Sequence, residues 1–305
     1  MLAVFAKVVR GETVKSRLQT GLTRQEAERF HVASLADTLE TALQLAPAPF
    51  LFLQGERPAC IEDLRARLFY CGLAKASWET LHVRPQRDGD LGLRLEHAFE
   101  TLCADTSAPG PALILGSDSP SLPPAYVRSG LARLGLRAHS TPGTRGAGRA
   151  EDSARPGGRP HMRATDQHRD SAAAIRPDAP SRVTPVTGIP ALGSSSPPAA
   201  ENEPGADLVL GPTTDGGYWA IGLRKPYGGL LRNIAWSTAH TFADTLARAA
   251  AFGLRTELLP LWTDVDRPED LQALARQIAR LRSSGDTRTA RHSERFLADI
   301  GVHPL

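Results

Sequence analysis

Two acidic turns in the sequence each follow directly after an apolar run. The first turn, Ser117-Asp118-Ser119-Pro120, comes after residues 112–116, and the second, Thr263-Asp264-Val265-Asp266, comes after residues 258–262. We interpret both runs as buried strands. Carboxylates at the carboxyl ends of parallel strands point into the crevice where open α/β sheets bind ligands. Because a hard divalent cation takes carboxylate and phosphate oxygens together, the pattern indicates chemistry on a nucleotide diphosphate or triphosphate.

Each of these acids also has a purely structural explanation. Asp118 could be a turn aspartate that accepts backbone N–H groups ahead of Pro120. Asp266 could be the N-cap of a helix that begins near Pro268. The matching positions of the two turns favour a metal site at Asp118 and Asp266, with Asp264 as an alternative ligand.

A basic loop at residues 10–18 follows the first strand. It contains Gly11 and the three basic residues Arg10, Lys15 and Arg17. Backbone N–H groups in such loops, with basic side chains beside them, bind phosphate well. The spacing is not that of a Walker A loop. A solvated basic turn explains the composition equally well, so both interpretations stay open.

A glycine-rich turn joins two aromatic residues to an acid in the segment Asp215-Gly216-Gly217-Tyr218-Trp219. Glycines let the backbone approach a ligand closely, and aromatic rings supply a wall for stacking or for a sugar. Asp-Gly is also a strong hairpin signal. The two interpretations are compatible.

The composition is that of an ordinary globular protein. Of its 305 residues, 41% are hydrophobic and 23% charged, and the net charge of +3 argues against nucleic acid or membrane surfaces as partners. Cys60, Cys71 and Cys103 show neither disulfide nor zinc spacing. The apolar run at residues 2–6 is too short for a signal peptide or a membrane span, so we expect a cytoplasmic protein. The sequence leaves its oligomeric state open.

Apolar runs and helical periodicities alternate along the chain. We predict strands at 2–6, 50–53, 81–83, 112–115, 207–210, 217–223 and 255–259. The predicted helices span 23–46, 61–69, 91–103, 124–134, 237–252 and 268–281. Thr23 and Glu26 form a capping-box pattern at the first helix, and Ser237 is the expected cap of the fifth. This alternation predicts an α/β fold with three αβα layers and a mostly parallel, doubly wound sheet.

The region from about residue 137 to 205 differs from the rest of the chain. It is rich in Pro, Gly, Ser, Arg and Ala, and no Phe, Trp or Tyr occurs between Tyr126 and Tyr218. Such a segment cannot bury enough apolar surface to offset the entropy of ordering it. We predict a single domain over residues 1–282, interrupted by a disordered insertion at about 137–205 and followed by a tail at 283–305.

Taken together, the chain resembles a family of bacterial GT-A-like transferases, the arsenosugar-biosynthesis-type glycosyltransferases. That family is related in fold to the nucleotidyltransferases of the MobA and CofC kind. The resemblance covers nearly the whole chain outside the insertion and the tail. Val9 departs from it, because the family usually has a proline there. The short segments that carry the resemblance lie at residues 5–7, 15–18, 86–95, 116–123, 210–212, 215–219, 234–238 and 264–271.

The resemblance implies a role for each candidate residue. Lys7, Lys15 and Arg17 would lie near the phosphates of a nucleotide. Asp118 and Asp266, or its neighbour Asp264, would hold Mg²⁺ or Mn²⁺. The segment from Asp215 to Tyr218 would face the acceptor or the sugar, with Gly216, Gly217, Tyr218 and Trp236 as substrate-binding residues. The sequence itself shows no obvious catalytic base, and Asp215 is the first candidate to test.

We therefore expect a metal-dependent transferase that uses a nucleotide-activated donor and a small-molecule acceptor, with a glycosyltransferase using a nucleotide sugar as the leading hypothesis. The main alternative is a nucleotidyltransferase that releases pyrophosphate from a nucleoside triphosphate. A third possibility is a nucleotide-binding protein without catalytic activity. Fold alone does not separate these alternatives.

Overall fold

Among the residues that it describes, the computed structural model has a central sheet of seven strands. The structure describes residues 1–9, 14–55, 58–104, 110–138 and 205–304. The insertion predicted at about 137–205 lies outside these residues except at its ends. The strands are β1 (Leu2–Lys7), β2 (Phe50–Gln54), β3 (His82–Pro85), β4 (Ala112–Leu115), β5 (Leu208–Pro212), β6 (Tyr218–Leu223) and β7 (Thr256–Leu258).

The strand order in the sheet is β3-β2-β1-β4-β6-β5-β7. β6 runs antiparallel to its neighbours β4 and β5, and all other neighbouring pairs are parallel. The predicted mostly parallel sheet is therefore confirmed. The antiparallel strand arises because β5 and β6 are joined by the short turn at residues 213–217, which is the hairpin that the Asp-Gly pair indicated.

In the described residues, eight α-helices and one short 3₁₀ turn accompany the sheet. The helices are α1 (Arg24–Leu45), α2 (Pro58–Cys71), α3 (Lys75–Glu79), α4 (Leu91–Ala104), α5 (Pro124–Arg133), α6 (Thr241–Ala251), α7 (Pro268–Ser283) and α8 (Arg291–Asp299), and the 3₁₀ turn is Leu18–Thr20. The capping box predicted for α1 is present, since the Thr23 hydroxyl accepts from the Glu26 backbone N–H and the Glu26 carboxylate accepts from the Thr23 N–H.

Helices cover both faces of the sheet, which gives the predicted three αβα layers. Alternate residues of β1 point to opposite faces: Leu2 and Val4 pack with α1, α2 and α5, and Ala3 and Phe5 pack with α4 and α6. α7 and α8 form a third buried cluster against α1. No helix in the described part of the chain has the length and apolar character needed to cross a membrane.

The structure corrects two predicted elements. The helix predicted from residue 237 begins at Thr241, and Ser237 is not its cap. The hydroxyls of Thr238 and Thr241 both donate to the Ala235 carbonyl, at 2.8 and 2.9 Å. These local hydrogen bonds hold the preceding residues in a non-helical turn.

The second correction concerns the apolar run at residues 258–262, which is not a buried strand. β7 ends at Leu258, and Leu258 and Leu261 are 47% and 50% exposed. Pro260 has no N–H with which to continue the ladder. Trp262 nevertheless forms a single parallel bridge with Thr213, so the chain still follows the edge of β5 towards the second acidic turn.

Helix α8 lies within the segment predicted as a tail. The ring of Phe296 in α8 packs on the ring of Phe30 in α1, with their centroids 5.4 Å apart. The buried Asp37 carboxylate of α1 accepts the backbone N–H groups of His292 and Ser293, each at 2.9 Å. A side chain of one helix therefore caps the amino end of another.

The residues on either side of the gap at 139–204 lie close together. After the gap in the described residues, the Ala206 N–H donates to the Arg133 carbonyl at the end of α5, at 2.8 Å. Gly205 lies so close to Gly135 that a Cβ added to Gly205 would be 3.3 Å from the Gly135 nitrogen. The two ends of the gap are therefore neighbours.

Candidate active site

The first acidic turn follows β4, in the middle of the sheet. The N–H of Gly116 donates to the Trp219 carbonyl of β6 at 2.9 Å, which continues the ladder to the end of the strand. The buried hydroxyl of Ser34 on α1 donates to the Ser117 carbonyl at 2.6 Å. The turn that carries Asp118 is therefore fixed from both sides.

The second acidic turn reaches the first through backbone contacts. Trp262 donates its N–H to Pro212 and accepts from the N–H of Thr214, at 3.0 and 3.2 Å. Three residues later, the Val265 N–H donates to the Asp118 carbonyl at 2.9 Å. The structure therefore brings the two turns together.

Asp266 is not the N-cap of α7, so that alternative is wrong. The N-cap position belongs to Arg267, and the carboxylate of Asp270 accepts the N–H groups of Asp266 and Arg267 at 2.9 and 2.7 Å. Asp270 therefore satisfies the amino end of α7, and the Asp266 carboxylate is left for other partners.

The ammonium group of Lys15 lies between the two turns. It contacts Asp118 Oδ1 at 2.6 Å, Asp266 Oδ1 at 3.0 Å and the Val265 carbonyl at 2.6 Å. The Lys15 side chain is 3% exposed, whereas those of Asp118 and Asp266 are 45% and 32% exposed. One buried cation thus joins two carboxylates that still face solvent.

Charge and burial set the protonation of this cluster. Although burial opposes ionisation, the Lys15 ammonium lowers the pKa of Asp118, and the two carboxylates raise the pKa of Lys15. Burial and the nearby charge of Asp118 raise the pKa of Asp264 to about 7. The Asp264 carboxylate accepts from the Ser119 hydroxyl. Asp118 is therefore the more readily ionised of these two acids.

The two other predicted phosphate-binding residues lie near the same cluster. Arg17 is 57% exposed and has its Nη1 3.8 Å from Asp266 Oδ2. Lys7 is exposed at the carboxyl end of β1, and its charge contributes to the lowered pKa of Asp118. Residues 10–13 of the predicted basic loop lie outside the described residues. The three basic residues thus surround the acidic pair.

The turn at residues 213–217 is held by its own aspartate. Asp215 Oδ1 accepts from the Thr213 hydroxyl at 2.6 Å and from the Gly217 N–H at 3.1 Å. Gly216 has φ +88°, and a Cβ there would lie 2.2 Å from the Ala239 carbonyl oxygen. Only glycine fits at this position. Within the described part of the chain, no hydrogen bond or ion pair joins Asp215 to the acidic pair.

The predicted substrate-binding aromatics contact each other. The rings of Tyr218 and Trp236 meet edge to face, with centroids 6.4 Å apart. Trp236 also packs on α4 at Gly92, where a Cβ would be 2.9 Å from the indole nitrogen. Burial raises the pKa of the Tyr218 hydroxyl, and an interaction with the Thr245 side chain opposes this shift. These residues form an aromatic wall between α4 and the loop that precedes α6.

Sequence reasoning did not identify a polar network at the carboxyl ends of β1 and β2. The buried amide of Gln86 donates to the carbonyls of Ala6 and Phe52, each at 3.0 Å. Arg94 donates to Gln54 and Gln86, at 2.5 and 3.1 Å. Gln86 and Arg94 belong to one of the segments that carry the resemblance, and that was the available signal.

The acidic pair suits a divalent cation in the type and number of its donors. Magnesium binds through one or two carboxylates together with water and substrate phosphates, and here two carboxylates already converge on one positive group. In the part of the chain that the structure describes, no group of three or more His, Cys, Asp and Glu side chains is placed to hold a metal. Any further ligands of such an ion would come from water or from a bound molecule.

A separate groove of about 930 Å³ lies between α1, α2 and α8. Its lining includes Arg29, Arg67 and Tyr70. None of the acidic pair, its lysine or the glycine-rich turn belongs to this lining. The candidate site is therefore defined by converging side chains at the edge of the sheet, and not by this groove.

Two comparisons with known proteins bear on the family and the fold. Residues 39–143 and 198–238 match the family described as "Uncharacterized protein conserved in bacteria (DUF2064)". These ranges include Asp118 and Asp215 but neither Lys15 nor Asp266. No curated protein matches the sequence.

Among solved structures, the chain is similar to a provisionally named nucleotide-diphospho-sugar transferase from Desulfovibrio desulfuricans G20. The identity is 19% over 98% of this chain and 94% of that chain, with a TM-score of 0.64, so the likeness shows the fold. CMP:2-keto-3-deoxy-manno-octonic acid synthetase complexed with CTP is 11% identical over 93% of this chain and 98% of that chain, with a TM-score of 0.40. That second likeness is too distant to support an argument.

Proposed function

We propose that the protein is a metal-dependent transferase that takes a nucleotide-activated donor, and that it acts as a glycosyltransferase with a nucleotide sugar. The observation that carries the proposal is the meeting of Asp118 and Asp266 at one ammonium group, beside the carboxyl end of β4. Open α/β sheets bind their ligands at this edge. The fold shared with a provisionally named nucleotide-diphospho-sugar transferase supports the same conclusion.

The charged residues of the site suit a diphosphate leaving group. Asp118 and Asp266 would hold Mg²⁺ or Mn²⁺, which supplies Lewis-acid stabilisation of negative charge when bound. Asp264 remains the alternative to Asp266. Lys7 and Arg17 present exposed cationic side chains around the acidic pair. Both can donate to phosphate oxygens and so position the donor.

The turn at residues 213–217 would bind the acceptor or the sugar. Asp215 uses only Oδ1 for the hydrogen bonds that hold the turn. The residue is exposed, and its Oδ2 can accept the proton of an acceptor hydroxyl while the acceptor oxygen bonds to the sugar carbon and the nucleoside diphosphate leaves. The Tyr218 and Trp236 rings supply an apolar wall of the kind on which sugars pack.

A product assay tests the proposal. The protein is incubated with Mg²⁺ or Mn²⁺, a panel of nucleotide sugars or nucleoside triphosphates, and a mixture of small hydroxyl acceptors. Release of nucleoside diphosphate supports glycosyl transfer. Release of pyrophosphate supports the nucleotidyltransferase alternative, in which an acceptor phosphate attacks the α-phosphorus.

The third alternative, a nucleotide-binding protein without activity, needs a different measurement. It predicts that nucleotides raise the melting temperature, because a ligand that binds the folded state stabilises it. It also predicts that this increase persists after Asp118→Ala, with no product from any donor. Under our proposal the metal-dependent part of the increase disappears in Asp118→Ala.

A further inference from the structure

The Lys15 ammonium already occupies a position between the carboxylates that would hold a divalent cation. Its three contacts, to Asp118, Asp266 and the Val265 carbonyl, equal the three N–H donors of a lysine. A lysine bonded in this way has no donor left for a phosphate. The described arrangement is therefore one in which Lys15 serves the acids and not a substrate.

We propose that Lys15 is the resident counter-ion of the Asp118–Asp266 pair, and that it competes with a divalent cation for these two carboxylates. The proposal rests on the proposed function, because it takes the pair as the metal site. Two carboxylates that share one ammonium would otherwise repel each other, and the ammonium neutralises part of their charge. A second cation on the same oxygens is repelled by the first.

Nucleotide phosphates would relieve this competition. Phosphate oxygens offer Lys15 new acceptors, so the ammonium can exchange the carboxylates for the donor while the divalent cation takes its place. The flexible four-carbon stem of a lysine permits such an exchange, and its compact ammonium fits between two carboxylates. The metal and the nucleotide would then bind more tightly together than either does alone.

The identity of the residue agrees with this role. The chain has only four lysines among its 36 basic residues. An arginine at position 15 would present a planar fork, which matches a single carboxylate and not two carboxylates and a carbonyl arranged around one nitrogen. The centroid of the Phe30 ring lies 5.9 Å from the Lys15 Nζ, and the ring adds a further attraction for a cation at this position.

Calorimetric titration with MnCl₂ in the absence of nucleotide tests the competition. We expect Lys15→Met to bind Mn²⁺ at least about tenfold more tightly than the wild type, which corresponds to about 1.4 kcal/mol. Lys225→Met, which removes an exposed lysine far from the acids in sequence, should bind Mn²⁺ as the wild type does. Unchanged or weaker binding by Lys15→Met would overturn the proposal.

A double variant locates the bound ion. In Lys15→Met with Asp118→Asn the gain should disappear, and a gain that persists would contradict the proposal because the ion would then lie elsewhere. Melting curves establish that each variant is folded, and Lys15→Ala replaces Lys15→Met if that protein does not fold.

The wild type provides an independent test. Selective ¹⁵N-lysine labelling gives at most four side-chain signals, and Mg²⁺ alone should shift the Lys15 signal while leaving that of Lys225 in place. A Lys15 signal that does not respond to saturating Mg²⁺ excludes the competition. None of these measurements needs turnover, so they can fail while the transfer assay succeeds, and the transfer assay can fail while they succeed.

Discussion

The backbone N–H of Val265 donates to the backbone carbonyl of Asp118 at 2.9 Å. This hydrogen bond joins two turns that are far apart in the sequence, and it does not involve the carboxylate groups. The separation of the two acids is therefore set partly by the main chain. Neutral replacement of one acid should leave the other in place, which makes single substitutions informative.

We expect Asp118→Asn and Asp266→Asn each to lower kcat by about 100-fold or more. Each removes a carboxylate that would hold the divalent cation, and the cation would stabilise the negative charge that develops on the departing diphosphate. The melting temperature should change by only a few degrees. Asp63→Asn, which alters a surface ion pair with Arg67, is the control and should keep full activity. Steady-state kinetics at saturating Mg²⁺ make the comparison, and near wild-type turnover in either site variant would exclude its proposed role.

Ser34→Ala should destabilise the protein by about 1–3 kcal/mol, since it leaves the buried Ser117 carbonyl without its partner. The variant should also bind Mn²⁺ more weakly, because the turn that carries Asp118 loses a fixed point. Ser283→Ala, on the exposed side of α7, should change stability by less than about 0.5 kcal/mol. Urea denaturation measures the free energy of unfolding of both variants. Equal losses in Ser34→Ala and Ser283→Ala would show that Ser34 does not fix the turn.

Gly216→Ala and Gly253→Ala separate backbone strain from steric clash. Both glycines have positive φ, +88° and +66°, but only at Gly216 would a Cβ overlap another atom, the Ala239 carbonyl oxygen. We expect Gly253→Ala to cost about 1–2 kcal/mol and Gly216→Ala to cost clearly more and to lower activity. Thermal unfolding gives both values. A similar loss for the two variants would mean that the loop before α6 moves away easily.

Stability should fall as the pH rises from about 7 to 9.5. Although burial opposes protonation, hydrogen bonds to the Cys71 carbonyl and Glu40 and the charge of Asp37 raise the pKa of His292 to about 10, above about 6.5 in an unfolded chain. Its stabilisation is complete below about pH 6.5 and is lost towards pH 10. Burial raises the pKa of Asp37 to about 6, and loss of that proton acts in the same direction at lower pH.

Chemical denaturation at several pH values checks this dependence. His292→Gln should be less stable than the wild type at pH 7 and should lose most of the slope between pH 7 and 9.5. His303→Gln, at an exposed position near the C-terminus, should keep the slope. If the slope is the same in His292→Gln, the charge of His292 does not anchor α8.

The central strands of the sheet could be predicted from the sequence because they are short, continuous apolar runs such as residues 2–6 and 112–115, and buried strands require such runs. Helix α8 could not be predicted in this way. It has nine residues, too few to be stable alone, and the groups that hold it are Asp37 and Phe30, on a helix far away in sequence. Its buried residues recur at helical spacing, but two of the four, His292 and Ser293, are polar, so the apolar pattern is weak and the tertiary contacts decide.

The candidate site, too, could be predicted only in part. The position of Asp118 after a buried strand was predicted correctly, and so was its meeting with Asp266. The reason given for Asp266 was wrong, because residues 258–262 are not a strand and the second turn reaches Asp118 through the Val265 hydrogen bond. The burial of Lys15 gave no such signal, because a lysine in a short loop with two arginines and a glycine is typical of an exposed turn. A lysine is buried only when partners neutralise it, and those partners come from the middle and the end of the chain.

The hydrogen bond from Ala206 to Arg133 has a practical consequence for the chain between them. Since both ends of that stretch meet at one point on the fold, a bridge of a few residues could replace everything from 139 to 204 without stretching either neighbour. For the same reason, natural insertions and deletions at this junction need not displace α5 or β5.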